Sequence, residues 1–118
     1  MQLPNYAQTY IQPDKLTRYL LSEVHPVGKA KAKFFRGLGF NDGNVALLEK
    51  GLLTLARTQV VHDTIETIYG TKYILIGPIE TPSGKTVKIL TVWLIEPGEA
   101  SPRFITARPY KVDTSSGS

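Results

Sequence analysis

The chain has 118 residues, of which 42% are hydrophobic, enough apolar surface for one core and no second domain. Fourteen Lys and Arg against ten Asp and Glu leave a net charge of +4, which points toward nucleic acid or an acidic protein as partner if the excess is clustered. There is no cysteine, which excludes a disulfide scaffold, thiol chemistry and a Cys-based zinc site.

Residues 1–12 read as an extended arm, without the basic segment and apolar run of a signal peptide. Pro13 and Asp14 then suit a helix start, and Leu16, Tyr19, Leu20 and Val24 recur at three- and four-residue spacing as one buried stripe. His25-Pro26 should end this helix, because the residue before a proline is pushed out of the helical region. From Lys29 to Arg36 strong helix formers predict a short, very basic second helix, stopped at Gly37-Leu38-Gly39, where a glycine can supply a left-handed cap. Asn41-Asp42-Gly43-Asn44 reads as a turn with capping residues. Val45, Leu47, Leu48, Leu52, Leu55 and Ala56 mark a third, amphipathic helix running to about Arg57.

Beyond Thr58 the composition turns β-branched and aromatic, and predicts strands at 60–69, 72–79, 86–95 and 103–107. Gly70-Thr71, Thr81-Pro82-Ser83-Gly84 and the loop 97–102 would join them. Links this short require antiparallel neighbours. The predicted fold class is therefore α+β, with N-terminal helices packed on a four-stranded antiparallel meander. Residues 1–112 form one domain and 113–118 a disordered polar tail. The third strand is apolar on both faces, Leu90, Val92 and Leu94 on one and Val87, Ile89, Thr91, Trp93 and Ile95 on the other, so it belongs in the sheet's centre. No run of about 18 apolar residues suggests a membrane span.

The densest charge is Lys29, Lys31, Lys33 and Arg36. Lys29 and Lys33 share a helix face and repel unless an anion lies between them, which invites a phosphate, with Gly28 freeing backbone N–H groups nearby. The same lysines would otherwise be a solvated face over Phe34 and Phe35. On the last strand, alternation groups Thr106, Arg108 and Tyr110 with Phe104, and Arg103 lies close by. Arg can neutralise a developing phosphorane, Tyr can donate a proton or stack on a base, and Thr can bind a phosphate oxygen. His62, in a predicted strand beside Asp63 and with Glu66 on its own face, is a candidate general acid or base, though an exposed sheet residue without a role reads equally from the pattern. His25 is better placed as a helix-end residue, and two histidines do not make a zinc site, so neither a metal nor another cofactor is expected. Trp93 reads as a core residue.

Two blocks, KLTRYLLSEVHPVGKAKAKFFRGLGF at 15–40 and KTVKILTVWLIEPGEASPRFITARPY at 85–110, with YGTKYILIG at 69–77 between them, resemble a bacterial family of uncharacterised function. That family is similar in element order to the barnase, colicin and RelE group of ribonuclease toxins. The resemblance implies metal-independent RNA cleavage, action in the cytoplasm after delivery by a secretion system, and an acidic antitoxin or immunity protein as neutralising partner. Carried onto this chain, it makes Lys31 the leading catalytic or phosphate-binding residue, with Thr106 and Arg108 assisting. No His or Glu matches barnase's acid–base pair, and a non-catalytic nucleic-acid-binding or protein-interaction module is the alternative that the same residues allow.

Overall fold

The structure, a computed structural model, describes residues 1–24 and 29–110. A 3₁₀ turn (Tyr6–Gln8), which interrupts the N-terminal arm expected to be extended, and three longer helical segments precede a four-stranded antiparallel sheet whose spatial order is its chain order, so the α+β meander is the observed fold. The strands are β1 (Asp63–Thr67), β2 (Gly70–Glu80), β3 (Thr86–Ile95) and β4 (Arg103–Pro109). Of the earlier expectations, those on His25, Pro26, Gly28 and the tail 113–118 lie outside the described residues.

The first helix departs most from expectation. It starts at Pro13, preceded by an extended Gln12, but α1 (Pro13–Lys15) widens at once into a π-helical turn (Leu16–Leu20), in which the Leu21 N–H donates to the Leu16 carbonyl at 2.9 Å. Leu16, Leu20 and Leu21 are all buried, and the wider turn brings Leu21 closer to the face that Leu16 and Leu20 share. Val24, expected on the buried stripe, is 89% exposed. The chain leaves the helix where the Arg36 guanidinium takes the Leu21 carbonyl at 2.8 Å and the Glu23 carboxylate at 3.2 Å.

Helix α2 (Lys29–Gly37) buries Ala32 and Phe35, and Gly39, at φ +100°, closes it in the left-handed region as the sequence suggests. Helix α3 (Val45–Thr58) buries Leu48, Leu52, Leu55 and Ala56, while Leu47 stays half exposed. Asn44 precedes it but caps nothing with its side chain. Its amide donates to the Gly39 carbonyl and its Oδ1 accepts the Asn41 N–H, so it fastens the turn instead. Residues of the N-terminal arm are also structural: Gln2 bridges Val60, Leu3 and Ile11 are buried, and Tyr10 bonds to the backbone of Pro102 and Phe104, occupying part of the β4 edge.

The first hairpin turns at Ile68-Tyr69, not at Gly70-Thr71. Thr67 and Gly70 are the last facing pair, and the Thr67 hydroxyl braces them through the Gly70 carbonyl and the Tyr69 N–H. The helices cover one face of the sheet, where Leu75, Ile79, Ile89, Trp93, Phe104 and Ala107 join the helical leucines in a single core. At its centre the Trp93 indole N–H donates to the Thr91 hydroxyl at 2.9 Å, which donates to the Leu75 carbonyl at 2.9 Å. Thr91→Val would strand the buried indole N–H, and denaturant unfolding should register a loss of about 1–3 kcal/mol with little change in m-value.

Candidate nucleic-acid interface

Alternation along β2 and β3 sends Lys72, Ile74, Ile76 and Lys88, Leu90, Val92, Leu94 to the face opposite the helices. Leu90 and Leu94 are buried there, yet they stand apart from the main core. With the half-buried Ile74, Ile76 and Val92 they make an aliphatic strip on the sheet's outer face.

Strand β4 decides what borders that strip. Its register with β3 slips by one residue, so that Val92 faces Thr106 while the next residue, Trp93, faces Phe104, and Ile105 is the extra residue of a bulge. Simple alternation put Phe104 on the same face as Thr106 and Arg108. The bulge separates them: Phe104 turns inward, its ring 5.3 Å from Trp93 in an edge-to-face contact, while Thr106 and Arg108 turn outward beside Val92 and Leu90. Lys72 and Arg103 flank Leu94 at one end of the strip. Arg108 and Lys88 mark the other end, where the Tyr110 N–H bonds to the Lys88 carbonyl. Leu94 and Lys88 are six residues apart on one strand, so the two cationic ends lie roughly 20 Å from each other.

The sequence-derived residues divide on this frame. Thr106, Arg108, Arg103 and Tyr110 share β4 or its end. Arg108 is exposed and makes no ion pair among the described residues, whereas Arg103 is held by Glu96 at 3.1 Å. Arg36 spends its guanidinium on Leu21, Glu23 and Asp42, which ties α2 to its flanking loops. Lys29 and Lys33 are exposed, and Lys31 sits half-buried at the border of the α2 face that packs against the π-helical turn and β4. His62 lies apart: it precedes β1, on the opposite edge, with its N–H on the Ile74 carbonyl. Three strand spacings, roughly 14 Å, separate it from Thr106.

Two residues that sequence reasoning did not assign complete the β4 side. The Tyr19 hydroxyl hydrogen-bonds the Thr106 hydroxyl at 3.0 Å, and the Lys15 ammonium lies 4.9 Å from the centre of the Tyr19 ring. Lys15 and Tyr19 are four residues apart at the helix start, a spacing that marks them as neighbours, but Tyr19 read as a core position. Lys72 and Lys88 were legible by extending the alternation of Ile74-Ile76 and Leu90-Val92-Leu94 by one step.

Among the described residues no three His, Asp or Glu side chains are arranged to hold a metal, and no helix is long and apolar enough to cross a membrane. The model of one protein family, described as a domain of unknown function (DUF6883), matches residues 2–111. No curated protein matches the chain. Among solved structures, a chain from a contact-dependent growth inhibition toxin–immunity protein complex of Klebsiella pneumoniae 342 superposes with a TM-score of 0.70 at 19% identity, over 91% of this chain and 97% of that one. At that identity the likeness shows a shared fold.

Proposed function

The chain belongs to the DUF6883 family, and from that footing we propose that it is a toxin module that binds RNA on the outer face of its sheet and cleaves it without a metal. The observation that carries this reading is the β4 bulge, which turns Thr106 and Arg108 onto one face with Lys72, Lys88 and Arg103. A polyanion laid across that face meets cations at both ends and a hydroxyl between them, and phosphate neutralisation dominates nucleic-acid affinity. The fold shared with a chain of a growth-inhibition toxin–immunity complex supports the toxin assignment, and so does the resemblance to ribonuclease toxins. An acidic immunity protein covering the same face would neutralise it.

In the reaction, the substrate's 2′-oxygen forms a bond to phosphorus as the bond to the 5′-oxygen breaks, giving a 2′,3′-cyclic phosphate and a 5′-hydroxyl. The 2′-proton passes to solvent water, and the 5′-oxygen takes one from Tyr110 or water. Arg108 neutralises charge on the phosphorane oxygens, Thr106 donates a hydrogen bond to one of them, and Lys31, on α2 beside β4, holds a neighbouring phosphate of the strand. His62, on the far edge, takes no part.

Purified protein incubated with total RNA and tRNA in EDTA-containing buffer is expected to generate 2′,3′-cyclic phosphate ends, with Lys31→Ala reduced by tenfold or more. Salt-sensitive binding without new RNA ends would replace this reading with a non-catalytic RNA-binding module. Intact RNA and no binding would overturn both.

A further inference from the structure

We propose that Lys15 is a phosphate-binding residue, held by Tyr19 beside Thr106, and that Lys15 and Arg108 clamp one backbone phosphate across the Thr106 hydroxyl. The proposal rests on the reading that this face binds RNA.

Lysine at a helix start is ordinarily a solvated side chain. Lys15 is half-buried, its ammonium lies over the Tyr19 ring, and it makes no ion pair among the described residues. Its neighbours on the same segment neutralise each other, Asp14 with Arg18 at 3.8 Å, so Lys15 is the uncompensated charge there. A cation laid on an aromatic face keeps its charge while losing rotamer freedom, which lowers the cost of ordering it when an anion arrives.

The placement of Tyr19 is specific. The π-helical turn Leu16–Leu20 carries it, a form that appears mostly as single turns and frequently at functional sites. From that turn its hydroxyl reaches Thr106 on the edge strand, 87 residues away in sequence, while α1 itself packs against β4. Ammonium, ring, phenol and threonine hydroxyl thus form one connected series that ends on β4 at Thr106. Arg108 continues it two residues along β4 on that face, about 7 Å away. One hydroxyl between two cations suits a monoanionic phosphodiester: the cations supply attraction and the hydroxyl a directed donor.

The test measures binding of a short single-stranded 2′-O-methyl oligoribonucleotide, which has no 2′-hydroxyl to attack, as a function of salt. Lys15→Gln is expected to weaken binding about tenfold at low salt and to lower the slope of log K against log salt by about 0.7, the share of one phosphate contact on a single strand. Lys15→Arg should keep the wild-type slope. Lys50→Gln, which removes the same charge from α3 beside the cleft facing Pro78 and Ile79, should also keep it. Circular dichroism checks that each variant is folded, and if Lys15→Gln is not, a lower slope for Lys15→Ala or Lys15→Met decides. An unchanged slope in the folded Lys15 variant, or an equal loss in Lys50→Gln, overturns the proposal while leaving RNA binding intact. Wild-type binding without RNA cleavage would overturn the ribonuclease reading and leave the clamp standing. No binding by the wild type would overturn both.

Discussion

Arg108→Gln is expected to lower the rate of RNA cleavage by about 10²–10³-fold, the usual consequence of removing one preorganised group that stabilises an oxyanion. The β4 bulge aims this side chain, its register partner is Leu90, and it is exposed with no ion pair among the described residues. Substitution should therefore leave the fold unharmed, and the thermal midpoint should move by no more than a degree or two. The loss should fall mainly on kcat, with a smaller change in RNA affinity, because the charge it neutralises is largest in the transition state. Arg36→Gln should do the reverse. Its guanidinium holds Leu21, Glu23 and Asp42 together, so stability is what that variant loses. A tenfold or smaller effect of Arg108→Gln on cleavage would remove it from the reacting centre.

The second large effect belongs to the first hairpin. Gly70→Ala is expected to destabilise the protein by on the order of 3–5 kcal/mol, measured by urea unfolding. Gly70 has φ +130°, where side chains are strained, and a Cβ there would run into the Ile95 carbonyl oxygen and lie 2.9 Å from the Glu96 Cα. Both obstacles are backbone, so neither can rotate away, and relief would require β2 to separate from the end of β3. Gly84→Ala is the control that isolates the conformational part. It has φ +88° with open space around its Cβ, and should cost about 1 kcal/mol. Equal losses at the two positions would show that the close approach at Gly70 contributes nothing.

The fold was legible because its signals are local. Glycine and proline punctuate the β2–β3 and β3–β4 connections, and β3, apolar on both faces, could only be an inner strand, as the burial of Trp93 and Leu94 bears out. The misreadings arose where tertiary contacts outweighed periodicity. The first helix widens into a π-turn in which both Leu20 and Leu21 are buried, and the first hairpin turns at Ile68-Tyr69, with Gly70 lying against the end of β3; the local pattern records neither. At the site, residue types were readable but not facing. Thr106 and Arg108 were grouped correctly with each other, yet Phe104 was grouped with them because nothing in the sequence announces a bulge at Ile105. The Tyr19–Thr106 contact joins the first helix to the last strand, and local pattern carries no information at that range.

RNA is proposed to lie on the outer face of the sheet. The most direct test compares two charge-matched triple variants for binding of an uncleavable single-stranded oligoribonucleotide across a salt series. Lys72, Lys88 and Arg108 changed to Gln remove three cations from the outer face. Lys50, Arg57 and Lys85 changed to Gln remove three exposed cations from α3 and the β2–β3 turn. The outer-face variant is expected to lose at least ~100-fold in affinity at low salt and about two units of salt slope, while the other binds like the wild type. Equal losses, or a greater loss in the α3 and turn variant, would contradict this placement.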